Sequence, residues 1–162
     1  MSIEFSNILD SKKEIYLKAL EKSKKAKKEN IVLCAECRGL CCRKKACAYS
    51  PDDFKDLSFE GLKREIDKGF ISIAFEAQNI VLRARHINAH IVDIDSKGPC
   101  MLLTEKGCML SFTERPKEGR ELIPIEKGIC ISRYSIKECA KEWKKYNEVL
   151  EELRDYYIDK LL

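Results

Sequence analysis

No stretch of this 162-residue sequence is apolar for long enough to span a bilayer. Residues 1–7 lack both the basic start and the apolar run of a secretory signal. The expected setting is therefore the cytoplasm, where thiols are kept reduced. Internal repeats and low-complexity tracts are missing as well. So are a glycine-rich phosphate loop, a dinucleotide fingerprint and a His-Glu-x-x-His zinc motif, which removes the enzyme classes most easily read from sequence. An excess of one charge is scarce: 31 Lys and Arg against 27 Asp and Glu leave a net charge of +4, too mild to signal nucleic-acid binding. Lys22, Lys24, Lys25, Lys27 and Lys28 form the one local concentration, read first as a solvated helix face and second as a phosphate-binding patch.

Cysteine, by contrast, is abundant. A chain that is 44% hydrophobic and 36% charged has the composition of one globular domain, here residues 1–162. Nine cysteines in a reducing compartment argue for metal ligation rather than a disulfide framework, and an odd number cannot pair completely. Four fall within Cys34-Ala-Glu-Cys37-Arg-Gly-Leu-Cys41-Cys42. Thiolates this close repel one another and oxidise unless a soft cation holds them. Cys34 and Cys37 have the two-residue spacing shared by zinc and iron–sulfur sites. Cys37 and Cys41 meet if the stretch makes a helical turn. Adjacent side chains diverge, so Cys41 and Cys42 either serve different metal positions or include one non-ligand.

Patterning predicts an α+β fold, with terminal amphipathic helices packed on a small antiparallel sheet and cysteine-rich metal-binding loops between them. Ser11-Lys12-Lys13-Glu14 is a capping box for a helix over 11–29. A metal-binding core spans 34–130, with a tight loop at 34–48. Ser50-Pro51-Asp52-Asp53 opens a short helix, and Ser58 caps another that runs to Gly69. Residues 70–75 and 80–85 read as strands around Gln78-Asn79, with 91–94 as a third. Residues 101–104 and 109–110 flank a hairpin turn at Glu105-Lys106-Gly107. Pro116 and Pro124 mark irregular chain. Ser135-Ile136-Lys137-Glu138 caps one long helix over 135–161, its apolar stripe running from Ile136 and Cys139 through Trp143 to Leu161.

Downstream cysteines supply further ligands. Cys47 precedes the Ser50 cap, Cys100 and Cys108 bracket the hairpin so that their sulfurs can approach, and Cys130 follows Gly128 in irregular chain. Cys139, on the apolar stripe, reads as a buried core thiol. The ligand set is then Cys34, Cys37, Cys41, Cys42, Cys47, Cys100, Cys108 and Cys130, enough for two four-thiolate sites. Metal ligation by His86 or His90 is a lesser reading, because thiols are already in surplus. If 83–90 is extended, Arg83 and Arg85 share one face and the histidines the other. Arg83, Arg85, His86 and Arg120 are candidates for an anion pocket beside the metal, against the simpler reading of arginines on a solvated face.

The cluster resembles the CxxCxxxCC family of zinc- or iron-chelating proteins, often called YkgJ-like. Cys100-Met101-Leu102-Leu103 and Cys108-Met109-Leu110 look like that family's downstream cysteine segments. Arg115-Pro116-Lys117-Glu118-Gly119-Arg120 is similar to its Arg-Pro-x-x-Cys-Arg segment, with Gly119 where a cysteine is expected. The similarity covers about residues 34–120. It implies a metal-binding protein, sometimes an iron–sulfur oxidoreductase, without a defined reaction. Cys47 or Cys130 can replace the missing cysteine, and Cys130 is preferred because it follows the same segment. The expectation is a zinc or iron–sulfur protein, with iron–sulfur slightly preferred, and a role in electron transfer. Its partners would be the metal or cluster and a redox partner or small anionic ligand; nucleic acid is disfavoured and no membrane contact is expected. The alternatives are a zinc-stapled nucleic-acid-binding module and an enzyme with an arginine-lined anion pocket.

Overall fold

The computed structural model describes residues 46–126 and 129–162, together with Glu14 and Arg43. The helix expected over 11–29, its lysine run and the Cys34–Cys42 cluster lie outside the described residues.

Serine caps set the first elements. Ser50 accepts a hydrogen bond from the Asp52 amide at the start of a 3-10 turn, Pro51–Asp53, and Asp53 reciprocates by accepting from the Ser50 amide. Ser58 Oγ accepts from the Gly61 amide at 3.1 Å and starts helix α1, Phe59–Asp67. A Cβ at Gly61 would lie 2.3 Å from Asp56 Cγ and 2.5 Å from the Asp56 carbonyl oxygen, so only glycine permits this entry to the helix. Gly69, with φ +92°, turns the chain out of α1. Leu62 and Ile66, four residues apart, make one fully buried face.

Strand β1, Ile71–Glu76, is the centre of a three-stranded sheet between β2, Asn79–Ala84, and β3, Val92–Asp93. Ile71 through Ala74 are buried without alternation, as expected of a strand covered on both faces. β1 and β2 form an antiparallel hairpin, whereas β3 runs parallel to β1, with Ile73 beside Val92 and Ala74 beside Asp93. The sheet is therefore mixed, because the chain crosses from β2 past β1 before β3 pairs. The hairpin turn is Ala77-Gln78, at φ 47° and 66°, one residue earlier than Gln78-Asn79. Asn79 acts from the strand instead, its Nδ2 donating to the Ala77 carbonyl at 3.0 Å.

Two small antiparallel ribbons follow. β4, Leu103–Thr104, pairs with β5, Gly107–Cys108, and Gly107 takes φ +104° after the turn. A short helix α2, Lys117–Arg120, precedes β6, Leu122–Glu126, which pairs with β7, Ile129–Ser132. Pro124 lies within β6 where the register shifts, a position that tolerates a residue with no amide proton. Cys130 lies in β7, opposite Pro124. These two segments are strands rather than irregular chain.

The predicted long C-terminal helix is two helices. Ser135 and Glu138 form the capping box of α3, Ile136–Trp143. A 3-10 turn, Lys144–Tyr146, leads into α4, Asn147–Leu161. The apolar stripe survives the break: Cys139, Trp143, Leu150 and Leu153 are all fully buried. They join Leu62, Ile66, Ile73, Val81 and Leu82 in one core. Tyr157 fastens α4 to α1, its hydroxyl donating to Asp67 Oδ1 at 2.6 Å. The described residues thus form a small α+β fold of a few helices and short, largely antiparallel sheets.

Candidate functional site

Residues 47–49 run beside β2 like an added strand. The Ala84 amide donates to the Cys47 carbonyl at 2.9 Å, and the Tyr49 amide to the Leu82 carbonyl at 2.8 Å. The Tyr49 carbonyl then accepts from Trp143 Nε1 at 2.7 Å and from Cys139 Sγ at 3.5 Å, which ties this segment to α3. Its other side is lashed to α2. The Ala48 amide donates to Glu118 Oε2 at 2.6 Å, and the Glu118 amide donates to the Ala48 carbonyl at 3.2 Å. Asp53 accepts from the Lys117 amide at 2.9 Å and from Arg120 Nη2 at 2.6 Å. These bonds bring Gly119 against Cys47. A Cβ at Gly119 would sit 3.7 Å from Cys47 Sγ. The cysteine beside Gly119 is therefore Cys47.

Cys100 and Cys108 pack in a satellite apolar cluster with Ala46, Ala84, Leu102, Leu110 and Tyr49. The ribbon β4–β5 places Cys108 opposite Leu103, and the Met109 amide donates to the Leu102 carbonyl at 2.7 Å. Burial pushes the Tyr49 phenol above its ordinary range, and Cys100, Asp53 and Cys108 add to the effect. Ala46, next to Cys47 in sequence, thus packs in the cluster that holds Cys100 and Cys108.

Cys139 is fully buried, and its pKa is pushed up to about 11, chiefly by burial. Nearby, Glu142 accepts from Ser50 Oγ at 2.9 Å, from the Tyr134 hydroxyl at 2.6 Å and from Lys117 Nζ at 3.2 Å. Burial works against its charge, but the three donors outweigh it and hold the carboxyl below the usual range.

The four candidates for an anion pocket engage separate protein acceptors. Arg83 pairs with Asp93 at 2.6 Å and Glu76 at 3.1 Å. Arg85 donates to the carbonyls of Ala89 at 2.7 Å and Gly69 at 3.2 Å. Arg120 donates to Asp53 and to the Arg115 carbonyl. His86 is buried with Nδ1 2.8 Å from the Gly98 carbonyl, whereas His90 is exposed. A shallow groove of about 870 Å³ opens among Phe75, Gln78, Tyr146, Val149 and Arg154, and its walls include none of these four residues and none of the described cysteines.

Among the described residues, no three His, Cys, Asp or Glu side chains converge as a metal site by themselves. No helix among them is long and apolar enough to cross a membrane. Asp53 and Glu118, which set the position of Cys47, were not singled out from sequence. Asp53 had a signal, since it is the reciprocal residue of the Ser50 cap. Glu118 had none, because its partner lies 70 residues away.

Comparison of the chain with family models, with curated proteins and with solved structures finds no match.

Proposed function

We propose that this protein binds a metal, either an iron–sulfur cluster or zinc, through cysteine thiolates of the Cys34–Cys42 cluster together with Cys47, Cys100 and Cys108. One observation carries the reading: Cys47 Sγ lies 3.7 Å from where a Gly119 Cβ would be. Gly119 is the position at which the resemblance expects a ligand. Cys47 supplies a thiol there from the neighbouring segment, so the departure from the pattern moves the sulfur between segments rather than deleting it. Of the two candidates for that role, Cys47 is the one beside Gly119, whereas Cys130 lies in β7 opposite Pro124.

Chain connectivity supports the same grouping. Cys42 and Ala46 are four peptide links apart, so their Cα atoms are separated by at most about 15 Å. Ala46 packs in the cluster that holds Cys100 and Cys108. The donor set suits either metal: thiolates bind zinc in closed structural sites and iron in clusters. A cluster would supply one-electron chemistry, whereas zinc would hold the loops without redox change. The vicinal pair Cys41-Cys42 is awkward for a single tetrahedral ion and favours the cluster. The arginine-lined pocket gains no support, since its guanidinium groups are turned to protein acceptors.

Metal analysis with an anaerobic absorption spectrum of the full chain tests the reading. A brown protein containing iron and sulfide supports the cluster; a colourless protein with stoichiometric zinc supports the structural site and removes electron transfer. A folded chain that holds neither metal, as purified or after anaerobic loading, refutes the proposal.

A further inference from the structure

His86 and Cys100 are direct cross-strand partners in an isolated antiparallel pairing. The flanking hydrogen bonds run from the Met101 amide to the Arg85 carbonyl at 2.8 Å and from the Ile87 amide to the Pro99 carbonyl at 3.0 Å. Bonds on either side, with none between the two residues themselves, define the narrow kind of antiparallel pair. There the Cα atoms approach to about 4.5 Å and the side chains stand closest, on one face of the ribbon. The imidazole and the thiol are therefore side by side. Both are buried: His86 is 4% exposed and Cys100 is 5% exposed.

The ring's tautomer follows from its partner. His86 Nδ1 lies 2.8 Å from the Gly98 carbonyl oxygen, which can only accept, so Nδ1 carries a proton, and in the neutral ring the lone pair is on Nε2. Gly98 adopts φ +110°, a conformation that favours glycine, so the turn carrying this carbonyl is set by residue type. An imidazole with one nitrogen bonded to a backbone carbonyl and the other offering a lone pair is the arrangement found in metal-bound histidine. A lone pair held next to a thiol has an evident use in a site for a soft cation.

From this geometry we infer that His86 is a metal ligand through Nε2, adjacent to Cys100, so that the site contains a nitrogen donor as well as sulfur. The inference rests on the metal-binding reading above and changes its donor set. The sequence made histidine superfluous by counting thiols; the fold pairs one histidine with a cysteine and fixes its tautomer. His90, exposed and without that carbonyl contact, is excluded.

X-ray absorption of the full metal-loaded chain, at the edge of whichever metal it binds, decides the point. A coordinated imidazole gives outer-shell multiple scattering that thiolates and sulfide do not. That signature is expected in the wild type and in His90→Gln, and lost in His86→Gln. Zinc affinity by chelator competition should fall at least about tenfold in His86→Gln, since even a second-shell partner of a metal ligand is worth that much. A wild-type spectrum fitted by sulfur alone overturns the histidine ligand and leaves the metal reading standing. A wild-type chain that binds no metal removes both. If His86→Gln does not fold, the wild-type spectrum still decides.

Discussion

Ala48 and Glu118 hold each other twice: the Ala48 amide donates to the Glu118 carboxylate at 2.6 Å, and the Glu118 amide donates to the Ala48 carbonyl at 3.2 Å. Both residues are nearly fully buried. A carboxylate in such a place is retained only if hydrogen-bonded. The consequence is positional, because the neighbours of this pair in sequence are Cys47 and Gly119. One clamp thus sets the sulfur of Cys47 against α2.

Glu118→Ala should destabilise the fold by about 2–3 kcal/mol, because it leaves the buried Ala48 amide without its acceptor. Glu118→Gln keeps an oxygen in that position and should cost about half as much. Urea unfolding of the two variants checks the order. Metal content should fall in Glu118→Ala even at temperatures where the variant is fully folded, since Cys47 loses its fixed position. Unchanged metal content in a folded Glu118→Ala would separate the clamp from the site.

The Ala77-Gln78 turn places two residues with side chains in the left-handed region, at φ 47° and 66°, where each costs roughly 1–2 kcal/mol relative to glycine-compatible backbone. Gln78→Gly should therefore stabilise the protein by about 0.5 kcal/mol, the relief of strain exceeding the added freedom of the unfolded chain. Ala77→Val should destabilise it by more than about 1 kcal/mol, because a β-branched side chain is least tolerant of positive φ. Urea midpoints of the two variants that move in the same direction would contradict this turn.

Asp93 is buried, and burial alone would raise its pKa; hydrogen bonds from Arg83 and Ser96 outweigh that and hold the carboxyl below its usual range. A lowered folded pKa means that the native state favours the carboxylate more than the unfolded chain does. The resulting stability is complete above the ordinary aspartate pKa of about 4 and is lost as pH falls through the lowered value. Wild-type stability should decline on acidification below about pH 4, and Asp93→Asn should be less stable at pH 7 with a flatter acid limb. Parallel curves for the two proteins would show that Asp93 is not the acid-sensitive group.

Local signals were legible and tertiary ones were not. Ser58 and Ser135 announced their helices because a cap is written within four residues, and Gly69 announced a helix end for the same reason. The turn at Ala77-Gln78 was misplaced by one residue because neither is a usual left-handed residue, and Asn79 drew the assignment to itself. The break at Lys144–Tyr146 was hidden because the apolar stripe continues across it from Trp143 to Leu150. Pairing was invisible wherever it depended on distant chain: Val92 parallel to Ile73, Cys47 beside Gly119, His86 opposite Cys100. The site residues could thus be named as types but not grouped. Cys100 and Cys108 share one apolar cluster and Cys47 lies beside Gly119, while the Cys34–Cys42 cluster falls outside the described residues.

The nine thiols should divide by function. Cys37→Ser should lower metal content and destabilise the fold, because metal-binding energy in such a domain is part of its folding energy. Cys47→Ser should lower metal content as well, if its sulfur does the work expected at Gly119. Cys139 differs in physical terms. It is fully buried among Tyr134, Trp143 and the Tyr49 carbonyl, and a pKa of about 11 keeps it protonated near neutral pH. A protonated, inaccessible thiol neither binds metal nor reacts. Cys139→Ala should leave metal content intact and cost on the order of 1 kcal/mol for a trimmed core position. Wild-type Cys139 should resist iodoacetamide at pH 8 until the chain is unfolded, as read by peptide mass. Loss of metal from Cys139→Ala equal to that from Cys37→Ser would show that the core thiol has been assigned to the wrong group.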